Sequence, residues 1–263
     1  MPLVRRLLLL ASASAFLATS VVAAEEPVTG GSFFDAFNSL DFERRWLASD
    51  GWTNGPHQGC EWRKENLSVS DGKLSLSMTK GSDQEEWNCA ELQSNDVYGY
   101  GVYEISMRPV AASGTVSAFF TYIGPVHGKP HDEIDFEFLG RDTSRIQLNY
   151  FTGGRGGNEF FVPAGEPDGE GFVRLAFEWT PTRVRWFVNG ELVHETAAGA
   201  QLPVNPSKIY VSLWSGTEEI NGWLGPFEGM DQQATLDVQW VAYTAPGESC
   251  RFPASITCGP MPE

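Results

Sequence analysis

The chain reads as a succession of short β-forming runs separated by turn residues. Leu74, Leu76 and Met78 alternate with Ser75 and Ser77 directly after Asp71-Gly72, a turn followed by a half-buried strand. Val102, Tyr103, Ile105 and Met107 follow Gly99 and Gly101, and Val116 to Ile123 runs apolar up to Gly124-Pro125. Arg145 to Phe151 alternates and stops at Gly153-Gly154. Phe172 to Trp179 and Arg183 to Val188 are further strands, and Asn189-Gly190 turns the chain into Leu192-Val193-His194. Asn-Gly between such runs predicts a type I′ hairpin, because both central residues must take positive φ. Ile209 to Trp214 and Leu236 to Tyr243 complete the series. Beyond the N-terminus, Leu40 to Trp46 is the single short candidate for a helix. Many short strands with turns between them predict an all-β fold, a sandwich or jelly roll.

The N-terminus breaks this pattern. Arg5 and Arg6 precede an apolar run from Leu7 to Ala15 that continues to about Val22, and Val22-Ala23-Ala24 offers small residues before Glu25. Ser12, Ser14, Thr19 and Ser20 interrupt the run, which makes it marginal for a span of about 20 strongly apolar residues. Residues 1–24 therefore read as a signal peptide, and residues 25–263 as one domain that is secreted, extracellular or periplasmic, and free of membrane after processing. Export permits disulfides. The four cysteines, at 60, 89, 250 and 258, allow three pairings; local spacing favours Cys60 with Cys89 and Cys250 with Cys258.

Composition narrows the partners. A hydrophobic share of 41% over 263 residues supports a packed core and excludes global disorder. A formal net charge of −16 repels phosphate backbones and anionic lipid, so nucleic acid and membrane surfaces are poor partners. The ligand is expected to be neutral, or an anion met by a local exception in the field.

The candidate chemistry lies in His131-Asp132-Glu133-Ile134-Asp135-Phe136-Glu137-Phe138-Leu139-Gly140. Alternate side chains of a strand share a face. Glu133, Asp135 and Glu137 therefore share one face, and Ile134, Phe136 and Phe138 the other. A solvated outer strand would mix cations or Thr among such acids, and none stands between Lys129 and Arg141. A calcium cluster is a second reading, since carboxylate oxygens suit hard cations. The third is glycoside hydrolysis, in which one carboxylate attacks the anomeric carbon and another protonates the departing oxygen. Crowding raises at least one pKa, as a general acid at neutral pH requires. Geometry constrains it: positions four apart span about 13 Å of strand, whereas a retaining pair needs carboxyls about 5–5.5 Å apart, so two long Glu side chains must lean together on a concave, curved strand.

Glu133-Ile134-Asp135-Phe136-Glu137 resembles the signature of glycoside hydrolase family 16, whose bacterial lichenases are endo-1,3-1,4-β-glucanases with a β-jelly-roll fold. Thr29–Phe34, Asp50–Gly55, Tyr98–Glu104, Phe119–Pro125 and Phe138–Thr143 look like lichenase segments in the same order, so the resemblance covers the chain to about Tyr243. It implies two antiparallel sheets with a concave substrate cleft, and a retaining hydrolase needing no cofactor for catalysis. Glu133 would be the nucleophile, Asp135 its assisting carboxylate and Glu137 the acid/base. Cys60 and Cys89 match the family's disulfide positions. Asn54, Glu91, Phe120, Tyr122, Asn149, Trp214 and Trp223 fall where lichenases line the glucan cleft, and His131 would face the cleft or solvent. Asp237 falls at the position of a structural calcium.

The departures bear on substrate. His131 stands where lichenases have Trp, Gln93 where an Arg contacts sugar, Gln58 for a cleft Phe, Phe151 for Tyr and Ser212 for Asn. Lys129 to Glu137 and the Cys250/Cys258 pair look closer to rhizobial endoglycanases that process the exopolysaccharide succinoglycan. The expected partner is a polysaccharide, β-glucan or exopolysaccharide, acted on by a monomer. A non-catalytic lectin-like module is the alternative, because the same fold and aromatics serve lectins, and a transglycosylase of the same fold is a third option.

Overall fold

A computed structural model describes residues 29–81, 86–230 and 234–259, and the leader expected over 1–24 lies outside them. The described residues form sixteen strands: β1 (Phe33–Asp35), β2 (Trp46–Ala48), β3 (Glu61–Trp62), β4 (Leu67–Ser70), β5 (Lys73–Lys80), β6 (Trp87–Ser94), β7 (Gly101–Arg108) and β8 (Thr115–Ile123). They continue with β9 (Asp132–Leu139), β10 (Arg145–Phe151), β11 (Phe160–Pro163), β12 (Val173–Trp179), β13 (Val184–Val188), β14 (Glu191–Glu195), β15 (Lys208–Ser215) and β16 (Ala234–Thr244). One short helix, α1 (Asn221–Leu224), and four 3-10 turns stand beside them.

Pairing in the order β11-β10-β9-β8-β15-β6 makes one curved layer, and β5-β16-β7-β12-β13-β14 makes the other. The two layers meet where β5 pairs with β6, closing a jelly-roll sandwich. The predicted turns hold. Asp71 and Gly72 take φ of 51° and 68°, and Asn189 and Gly190 take 53° and 88°, the left-handed values a type I′ hairpin needs.

Two expectations change. Leu40 to Trp46 is not a helix: residues 42–45 form a turn and Trp46 opens β2. Tertiary packing decides this, because the Trp46 ring packs between Phe33 and Phe37 while its indole donates to Asp35 at 2.8 Å. The sequence reading also lacks β6, the strand of the cleft layer beside β15. Its inward positions are small or modest (Ala90, Leu92) and its other face carries Glu91 and Gln93, so no strong apolar run announces it.

The core fills the space between the layers. Phe119, Phe136 and Phe138 from the cleft layer face Tyr103, Leu175 and Phe177 from the outer one. Phe177 sits 6.0 Å from Phe119 and 6.3 Å from Phe136, ring to ring, so one residue ties both cleft strands to the opposite layer. Each fully buried Phe of this kind contributes roughly 1.5–3 kcal/mol. Both disulfides form as spacing suggested, Cys60 with Cys89 and Cys250 with Cys258, with Cα separations of 5.7 and 5.1 Å.

Candidate active site

Cross-strand partners share a face of a sheet, so the register lays out the concave face as rows. Lys208, Tyr122, Glu133 and Phe151 make the first, across β15, β8, β9 and β10. Gln93, Tyr210, Phe120, Asp135 and Asn149 make the second, beginning on β6. Glu91, Ser212, Ala118, Glu137 and Gln147 make the third. Trp214, Val116 and Leu139 make a fourth, closed over by Leu224 of α1 with Ile220 and Trp223. The three acids of β9 thus descend one row at a time into a cleft of about 740 Å³. The small Ser212 and Ala118 give the floor its depth beside Glu137.

β9 is pinned from both sides. Asp132, at its start, accepts hydrogen bonds from Gly153 N (2.9 Å), Val204 N (3.0 Å), Asn205 N (3.0 Å) and Asn205 Nδ2 (2.7 Å). Its carboxyl is held below the usual range: those bonds to the charged form outweigh burial, the largest single influence. From the opposite layer, Trp186 Nε1 donates across the core to the carbonyl of Asp135 at 3.2 Å.

The cleft carboxyls are displaced the other way. Burial, then the charge of Glu133, pushes Glu137 up to about 8, although Gln147 Nε2 donates to it at 2.8 Å and opposes the shift. Asp135, 4% exposed, is raised well above the carboxylate range by burial and then by Glu133 and Glu137, and it hydrogen-bonds Glu133. Glu91 is raised to about 7 by burial, against the 2.6 Å bond from Ser49 Oγ. A proton shared among these groups leaves one carboxylate free to attack and another able to donate. Glu133 is also bonded by His131 Nε2.

Aromatic rings supply the faces on which a sugar stacks. Phe120 and Tyr210 lie parallel at 4.9 Å, His131 stacks on Phe151 at 4.7 Å, and Tyr122 meets His131 edge-on at 5.1 Å. Asn54, Glu91, Phe120, Tyr122, His131 and Trp214 all line the cleft with the three acids. Two expected residues do not. Asn149 lies opposite Asp135, but its side-chain oxygen accepts from Tyr150 N at 2.9 Å. Trp223 packs 6.1 Å from Trp214 and acts at one remove, its Nε1 donating at 2.8 Å to the Gln147 that holds Glu137.

Sequence reasoning missed Trp52, His57, His127 and Tyr210 among the lining residues, and Ser49 and Gln147 behind them. Tyr210 was available from the alternation Lys208, Tyr210, Ser212, Trp214. Ser49 and His57 arrive from loops, which carry no periodicity. Gln58, in place of a cleft aromatic, is buried instead: its Oε1 accepts from Asn54 N at 2.9 Å and its Nε2 donates to Cys60 O at 2.8 Å. Asp237 lies on β16 of the outer layer, ion-paired to Arg108 and accepting from Ser75 Oγ at 2.6 Å. Among the described residues no three His, Cys, Asp or Glu side chains are grouped to hold a metal.

Two glutamates flanking an aspartate on the cleft face of a β-sandwich, with raised acids and aromatic walls, define a carbohydrate-cleaving site. Comparison with known proteins agrees. Residues 54–242 match glycosyl hydrolases family 16, and the chain belongs to that family. It is a glycoside hydrolase. It is 45% identical over 228 residues to the endo-1,3-1,4-beta-glycanase ExoK of Rhizobium meliloti, covering 86% of this chain and 84% of that one. A beta-glucanase of Bacillus subtilis is 40% identical over 246 residues, 93% of this chain and 99% of its own. The solved beta-glucanase of Bacillus licheniformis superposes with a TM-score of 0.78 at 41% identity, covering 83% of this chain and all of that one.

Proposed function

We propose that this chain is a secreted endo-β-glucanase that cuts β-1,3-1,4-linked glucan, or a related bacterial exopolysaccharide, by double displacement. Glu133 attacks the anomeric carbon, Asp135 shares a proton with it and keeps it aimed, and Glu137 protonates the leaving oxygen and later activates water. The observation that carries this reading is the descent of three carboxyls into one aromatic-walled cleft, with Glu137 raised to about 8 and therefore protonated at neutral pH. An open cleft between strand rows, rather than a closed pocket, suits cutting within a polymer. Names of relatives such as endo-1,3-1,4-beta-glycanase and beta-glucanase support the substrate class.

No cofactor takes part in this chemistry. Asp237, where the family resemblance implies a structural calcium, carries the Arg108 ion pair and the Ser75 hydrogen bond. Export rests on the leader expected over residues 1–24, and the working unit on a monomer with one cleft.

The test is reducing-end release by the purified mature protein from mixed-linkage β-glucan, 1,3-β-glucan and succinoglycan side by side. Rapid release from the mixed-linkage polymer, with short oligosaccharides from the outset, is the expected result. Release from succinoglycan alone moves the substrate to the exopolysaccharide. No release from any of the three removes the endoglucanase reading.

A further inference from the structure

The cleft is acid-lined in an acidic protein, yet its first row ends on a cation. Lys208 lies on the cleft face of β15, cross-strand from Tyr122 and two strand spacings, about 10 Å, from the strand of Glu133. Its Nζ donates to Gln93 Oε1 at 3.1 Å. Gln93 Nε2 donates in turn to Ser49 Oγ at 3.1 Å, and Ser49 Oγ to Glu91 Oε1 at 2.6 Å. The chain Lys208–Gln93–Ser49–Glu91 fixes which way the amide points and holds the ammonium behind Gln93, which lines the cleft. Two imidazoles stand beside it: His127, close enough for the lysine charge to lower its pKa after burial does, and His131 across Tyr122.

What Lys208 lacks is an anion. It is half-buried, and among the described residues its hydrogen-bond partner is a neutral amide and it forms no ion pair. Asp96 acts on it only through space, and desolvation outweighs that attraction. A cation held out of water with a neutral partner is costly unless a ligand completes it.

We propose that Lys208 is a specificity-determining residue, which receives a carboxylate carried by the polysaccharide at the Tyr122 end of the cleft. This rests on the reading of the cleft as a glycan site. It supplies the local exception through which a chain of net charge −16 could accept an acidic polymer. The carboxylate could be a pendant substituent on a glucan hydroxyl or a uronate within the backbone, and the same ammonium serves both.

The experiment compares kcat/KM of the purified full-length protein on β-1,3-1,4-glucan in three forms: unmodified, partially carboxymethylated, and oxidised at C6 to uronate. The readout is the ratio of charged to unmodified substrate. Lys208→Met, which keeps the stem and removes the charge, is expected to lower that ratio about tenfold, mainly through KM. Lys208→Arg restores it, and added salt shrinks the native ratio. A fall confined to the carboxymethylated polymer identifies a pendant acid, and a fall confined to the oxidised one a backbone uronate. An unchanged ratio, with all three substrates weakened alike, means that Lys208 only props Gln93, and overturns the proposal. If the native protein cuts none of the three, the endoglucanase reading fails instead. Calorimetric binding of the same polymers then reads Lys208 directly: charge preference lost in Lys208→Met supports the proposal, and preference retained, or none in the native protein, overturns it.

Discussion

Two sets of acids, one on each layer of this sandwich, are held in opposite ways. On the outer layer Glu178 is paired at 2.8 Å with Arg185, itself 1% exposed, and Asp237 is paired with Arg108. On the cleft layer Glu91, Asp135 and Glu137 are as deeply placed, and the groups that hydrogen-bond them are Ser49, Glu133 and Gln147. No cation neutralises them, and their pKa values rise. The same residue types therefore do different work. Desolvated with no cation beside it a carboxyl holds a proton it can give away, unless several N–H donors bond its charged form, as they do at Asp132.

The comparison can be broken at either layer. The largest effect belongs to the cleft: Glu133→Gln should lower turnover on β-glucan by roughly 10³-fold or more while the fold survives, as read by initial rates and circular dichroism. Unchanged turnover would remove Glu133 as nucleophile. On the outer layer Glu178→Gln should do the reverse, removing the carboxylate that pairs with the buried Arg185 guanidinium. Chemical denaturation should show a loss of about 3–5 kcal/mol, with kcat on folded protein close to native.

The third test uses pH. Glu91 is raised from the ordinary 4.5 to about 7, so between those values the folded state holds a proton that the unfolded chain has released. Stability from this group is therefore greatest below the unfolded value and declines as pH rises toward 7, by at most about 3 kcal/mol. Glu91→Gln should flatten that decline in melting curves taken from pH 5 to 8; an unaltered slope would mean that Glu91 is not the group titrating. The smallest effect concerns Glu137. Gln147 opposes its rise by bonding the charged form, so Gln147→Met should move the alkaline limb of the rate profile to higher pH. Trp223→Phe, which frees Gln147 to turn, should move it the same way by less.

Much of this was legible in the chain. Alternating or apolar runs located ten of the strands, because each buries at least one face against a single core. Asn189-Gly190 announced its hairpin through backbone freedom alone. Glu133, Asp135 and Glu137 were readable because one strand carries all three, and their apolar partners Ile134, Phe136 and Phe138 are equally local. β6 was not legible: its cleft face is polar, and that polarity makes sense only opposite Ser49 and Lys208, residues far away in sequence. Trp46 shows the same limit, since a ring packed between Phe33 and Phe37 overrides any local preference for a helix.

The sequence by itself determined the β class, the disulfide spacing and the placing of Glu133, Asp135 and Glu137 on one face of β9, because these follow from periodicity and composition within short windows. The tertiary structure decided which acids are paired and which are left protonated, that Trp223 serves Glu137 through Gln147, and that a lysine stands at the end of the cleft. A pKa is set by the groups within a few ångströms in space, and in a β-sandwich those neighbours come from strands and loops far apart along the chain.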